Sequence, residues 1–141
     1  MSQLENLELI EFHDATIESM NVDTVGMRLV FSSMFAYFPA GSDDYEVWEC
    51  SGLLRLCRIS KVDWIPDAEA ESFVAVGEVA AGGLFDANDD ELAIAKLRQT
   101  IRQDCLLRVV FASGTRLEVR ANGVWWEDIA KLKRHGNVGR V

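Results

Sequence analysis

No stretch of this chain approaches the roughly 18 uncharged residues that a membrane-spanning helix requires. The segment Met1–Glu11 carries Glu5, Glu8 and Glu11 and no basic residue, unlike a signal peptide. Together these absences point to a cytoplasmic protein without a membrane partner. Cysteine is scarce and odd in number, Cys50, Cys57 and Cys105, with no CxxC pair. That fits reduced core thiols rather than a disulfide framework or a structural zinc site, which uses closely spaced ligand pairs. Cys50 and Cys57 differ by an odd number of positions, so one regular strand would send them to opposite faces. No metal and no cofactor is expected. The chain also lacks a G-x-S-x-G nucleophile elbow, and Gly82-Gly83 belongs to no phosphate-binding pattern.

Basic charge is the other shortage. The chain has 14 Lys and Arg against 23 Asp and Glu, a net −9. The imbalance is local: residues 1–104 hold 20 acidic and 7 basic side chains, whereas residues 105–141 hold 3 acidic and 7 basic. A field of this sign repels phosphates, which argues against nucleic acid. It serves solubility, or it meets a basic protein partner.

What is present is apolar: 49% of 141 residues, enough for one packed domain spanning 1–141. Leu107–Val119 carries the clearest pattern. Leu107, Val109 and Phe111 point one way on the first arm, and Leu117 and Val119 alternate with Arg116, Glu118 and Arg120 on the second, which is the period of a half-buried antiparallel strand. A three-residue loop, Ala112-Ser113-Gly114, sets Phe111 against Thr115, Val109 against Leu117 and Leu107 against Val119, with Arg108 opposite Glu118. A two-residue loop would put the apolar faces on opposite sides.

Other strands are expected at Ala15–Val22, with a bulge near Ser19, and at Val25–Phe31 after a turn at Asp23-Thr24. Tyr45–Ile59 reads as a long extended region bent at Ser51-Gly52, and Phe73–Val79 as a strand leaving through a flexible Ala80–Gly83. The acidic stretch Pro66–Glu71 reads as solvated. Asn88 with Glu91 makes a capping box, and Ile94, Leu97 and Ile101 follow at helical spacing, which predicts a helix near 89–103. Asn122-Gly123 predicts a tight turn returning Val124–Glu127 as a strand. Trp126–Arg134 reads as a short helix ended by Gly136. The expected class is therefore α+β. Its main element is an antiparallel sheet of about six to eight strands, strongly curved or barrel-like, with one covering helix and a short C-terminal helical turn.

Candidate chemistry is thin. His13 beside Asp14 would point away from it in a regular strand, so adjacency alone makes no catalytic pair. Asp86–Asp90 departs from a calcium loop, with Glu91 at the glycine position and Leu97 at the closing glutamate position. Arg55, Arg58 and Lys61 do not share a strand face. Four tryptophans are many for this length. Trp125 and Trp126 are adjacent, so one of them faces outward in a strand, where tryptophan makes a binding hot spot.

The run Phe12-His13-Asp14-Ala15-Thr16-Ile17-Glu18-Ser19 resembles the opening of small bacterial β-rich domains of unknown function, which begin with a His-Asp-Ala/Ser run leading into a strand. In size, acidity and tryptophan content the chain is also similar to immunity proteins that neutralise bacterial toxins. The expectation is a non-enzymatic protein that binds a protein partner, with Trp125, Trp126, Trp48, Trp64 and Tyr37 as its binding residues. Open sheet edges leave room for a homodimer. Two alternatives stand beside it. One is a small-molecule-binding barrel lined by Phe35, Tyr37, Phe38, Trp48 and Trp64; the other is an enzyme built on His13, Asp14 and a cysteine.

Overall fold

The computed structural model describes residues 7–22, 26–41, 43–65, 77–91 and 101–139, the side chains of 101 and 102 excepted. Seven strands follow one another: β1 (Leu9–Val22), β2 (Gly26–Ala40), β3 (Asp44–Cys57), β4 (Ile59–Ile65), β5 (Gly77–Asp86), β6 (Ile101–Phe111) and β7 (Arg116–Gly139). They form one antiparallel sheet in the order β3-β2-β1-β5-β6-β7-β4, and a further pairing of β3 with β7 closes six of them into a barrel. The β4 strand continues the line of β3 along β7 past Arg58, whose φ of 52° marks the kink between them.

The β6–β7 hairpin has the register that its alternation demands. Leu107 pairs with Val119, Arg108 with Glu118 and Val109 with Leu117. The Phe111 N–H donates to the Thr115 carbonyl at 2.9 Å, and Gly114 closes the loop at φ 94°, where a β-carbon is strained. Arg108 Nε lies 3.1 Å from Glu118 Oε1 on the outer face.

Inward-facing residues fill the barrel without a central channel. Phe31 packs on Phe12 at 5.4 Å and on Trp126 at 5.2 Å between ring centroids, and the Phe12–Trp126 pair at 6.2 Å is edge-on. Leu29, Met34, Leu54, Leu107, Leu117, Val109 and Val119 complete a layer with no exposure to solvent. A barrel this small has only enough interior for its own side chains.

The chain is all-β among the described residues, which corrects the α+β expectation. Trp126–Arg134 is not a helical turn but part of β7. A bulge at Asp128 (φ 53°) inserts a residue between Trp126 and Ile129, so both turn toward the core three positions apart. That spacing imitates a helix. Of the helix expected near 89–103, residues 92–100 lie outside the described residues. Its start is a turn in which Asp86 Oδ1 accepts the N–H groups of Asn88 and Asp90, and Ile101–Gln103 already belongs to β6.

The Asn122-Gly123 turn does not form either. Asn122 is tied on both sides: its Nδ2 donates to Asp104 Oδ1 at 2.8 Å and its backbone N–H to the Arg58 carbonyl at 3.2 Å. Instead of reversing, β7 passes through and exchanges β6 and β4 for β3 as neighbours. Ala80–Gly83 is likewise no flexible exit but the middle of β5. A β-carbon on Gly82 would stand 2.5 Å from the Arg108 carbonyl oxygen and 3.3 Å from the Phe12 ring, so glycine permits the close approach of β5. The bulge expected near Ser19 is present, as a register shift between Ile17 and Ser19. The Asp23-Thr24 turn, the stretch 66–71 and the 73–76 part of the expected strand lie outside the described residues.

Candidate functional site

The barrel is open at one end. Among the described residues β5 pairs with β1 at Thr16 and Ile17, and this ladder does not extend over the first half of β1. Between them lies a cleft of about 620 Å³ lined by Leu9–His13, Tyr37, Tyr45, Ala81, Gly82, Glu91, Val138 and Gly139. The sequence places these residues there by strand pairing. Leu9 faces Tyr37 across β1–β2, and Tyr45 faces Val138 across β3–β7, which carries the far end of β7 to the rim.

Polar groups converge on one wall. The Tyr37 hydroxyl donates to Glu11 Oε2 at 2.5 Å, and the Tyr37 and Tyr45 rings meet edge-on at 5.9 Å. Burial, reinforced by the hydrogen bond and the charge of Glu11, pushes the Tyr37 phenol up to about 12. The phenol is therefore a fixed donor and Glu11 its acceptor. From the β5 side Glu91 leans over Gly83, its Oε1 3.4 Å from where a β-carbon there would sit.

His13 is on the rim. Opposite Met34, β1 carries four residues between the pairs Glu11–Phe35 and Thr16–Ser33 where β2 carries one, and Asp14 takes φ 64°. This wide bulge keeps Phe12 and Ala15 in the core and turns His13 and Asp14 outward together. Nδ1 of His13 then lies 3.1 Å from Asp14 Oδ2, a contact that a regular strand would forbid. No cysteine lines the cleft. Cys50 and Cys105 are buried, and burial pushes Cys50 up to about 11 and raises Cys105 as well. Among the described residues no group of three His, Cys, Asp or Glu side chains converges as a metal site.

The candidate binding residues are scattered. Tyr37 lines the cleft, Trp126 is enclosed in the core, and Trp64 is half-buried 6.2 Å from Phe111. Trp125 lies on the outer wall of β7, whereas Trp48 pairs with buried Ala36 and packs against the margin of the core; both are half-buried and already partnered. Trp48 Nε1 donates to Glu46 and its ring is capped by Lys131 Nζ at 4.7 Å. Trp125 Nε1 donates to Glu127 at 2.6 Å under the Arg55 guanidinium. Phe35 meets His135 edge-on at 5.1 Å on the same wall, and Phe38 is in the core. Of the aromatic residues expected to line one barrel site, Phe38 and Trp48 meet at Lys131 Nζ, 4.3 and 4.7 Å from the ring centroids, while Phe35, Tyr37 and Trp64 lie elsewhere.

The charge asymmetry is partly consumed inside the fold. Basic β7 runs beside acidic β3, with Arg134 3.9 Å from Glu46 and His135 3.5 Å from Glu49. Arg55, Arg58 and Lys61 also go separate ways, to Trp125, to Asn122 and to Asp63. Reasoning from the sequence missed Glu11, Tyr45, Glu91 and Val138. The outward alternation of β1 held a faint signal for Glu11. The other three depend on where distant strands end. No family model matches this sequence, and neither a curated protein nor a solved structure matches the chain.

Proposed function

We propose that this chain is a small-molecule-binding β-barrel whose site is the cleft at its open end. The observation that carries this reading is the cleft itself. Its volume is about 620 Å³, and the hydrogen-bonded Tyr37–Glu11 pair stands in its wall. Binding sites are typically clefts of roughly 300–1,000 Å³ with apolar walls and a few placed polar groups. Leu9, Ile10, Phe12 and Val138 supply the apolar surface, and Tyr37, Glu11, His13 and Glu91 the polar groups. The reading through a tryptophan-rich, protein-binding surface has less support. Trp48 and Trp125 are each covered by a basic side chain and hydrogen-bonded to a neighbouring carboxylate.

Titration of the ¹⁵N-labelled protein with a fragment library tests the proposal. Backbone shifts are expected to cluster at Leu9–His13, Tyr37, Tyr45 and Val138, and Tyr45→Ala weakens the best fragment by roughly tenfold, the loss of one aromatic wall. A library that leaves those amides unmoved overturns it.

A further inference from the structure

The charges around the cleft specify its ligand further, and the inference rests on the binding reading just given. Two carboxylates flank the space, Glu11 from the β1–β2 side and Glu91 from the β5 side, and among the described residues no lysine or arginine lines it. Among the described residues neither carboxylate forms an ion pair with a basic side chain. Glu11 accepts a hydrogen bond from a phenol that burial and Glu11 itself keep protonated, which orients the carboxyl group. Among the described lining residues the one group able to bring positive charge, His13, sits on the rim against Asp14. Beside Glu11 stand two tyrosine rings, 79° between planes with centroids 5.9 Å apart, and both line the cleft. A carboxylate next to tyrosine faces is the arrangement that attracts an organic cation, through Coulomb attraction and the ring quadrupole together. The net charge of −9 favours its approach.

We infer that the cleft takes a small organic ammonium ligand with an apolar body, its cationic head at Glu11 and the Tyr37–Tyr45 pair and its body along Leu9, Ile10 and Phe12. Three probes that share a phenylethyl body test this: 2-phenylethylammonium, 2-phenylethanol and 3-phenylpropanoate, each titrated into the labelled full chain. The ammonium is expected to bind about tenfold tighter than the alcohol, with the carboxylate weakest and the preference shrinking at high salt. Glu11→Gln keeps an acceptor for Tyr37, so it should retain the fold and lose most of that preference, weakening the ammonium far more than the alcohol. Glu91→Gln, on the opposite wall, is expected to lose a smaller part and provides the readout if the first variant melts early. Equal binding of the three probes, or a preference that persists in the folded variants, overturns the charge assignment and leaves the binding cleft standing. Probes that move no cleft amide overturn the cleft as well.

Discussion

The β6–β7 hairpin and the β1–β2 pair are built from the same antiparallel ladder, yet they behave differently. From Cys105–Ala121 to Val110–Arg116 the first runs without a slip, whereas the second shifts register three times between Glu11 and Ser19. Regular pairing buries every second side chain and leaves no room for anything else. Irregular pairing bends β1 away from β5, opens the cleft and turns His13 and Asp14 outward. The contrast separates the part of the barrel that holds it together from the part that is free to bind.

That separation can be broken most directly by truncating one apolar side chain in each region. Leu107 is fully buried, and Leu107→Ala is expected to cost about 2–5 kcal/mol in urea unfolding. Leu9, 42% exposed on the cleft wall, should cost well under ~1 kcal/mol when truncated. Equal losses would mean that the cleft wall is as much core as the hairpin. Backbone substitutions sharpen the same contrast. Gly114→Ala, at φ 94°, is expected to cost about 1 kcal/mol or more, whereas Asp14→Gly, at φ 64°, should stay within ~0.5 kcal/mol of neutral because aspartate tolerates that region poorly but often enough.

The smallest expected effect is confined to high pH. Tyr37 is raised from 10.0 to about 12 and Cys50 from 9.0 to about 11. Both groups hold their protons more tightly folded than unfolded. Their contribution is complete below the unfolded values and is lost as pH rises through the folded ones. Stability should thus decline from pH 9 upward, and Tyr37→Phe should flatten the part of the decline between 10 and 12. A chemical-denaturation series across that range reads it; an unchanged profile in Tyr37→Phe would detach the phenol from the effect.

The hairpin was legible in the sequence because its alternation is unbroken and Gly114 leaves one workable loop. Trp126–Arg134 misled for the opposite reason, since a bulge at Asp128 converts a period of two into a spacing of three and a second register shift follows between Lys131 and Lys133. Asn122-Gly123 carries the composition of a tight turn, but tertiary hydrogen bonds to Asp104 and Arg58 hold it straight. Of the cleft only Tyr37 was named beforehand as a binding residue. His13 drew notice for its acidic neighbour, and their contact depends on a backbone angle that no spacing rule announces. Glu91 and Val138 reach the cleft through the paths of β5 and β7, far in sequence from β1.

The long β7 strand also dictates an order of events. Its first part meets β6 across a three-residue loop, so that ladder can form early and locally. Its second part must find β3, with Leu56 waiting for Val124 and Asp44 for Gly139. Distant pairings of this kind carry the loop-closure entropy that slows folding. Until β7 arrives, β2 and β3 form a ladder with one bare edge, open to pairing with another chain. Barrel closure is therefore both the last step of assembly and the step that ends the exposure to aggregation.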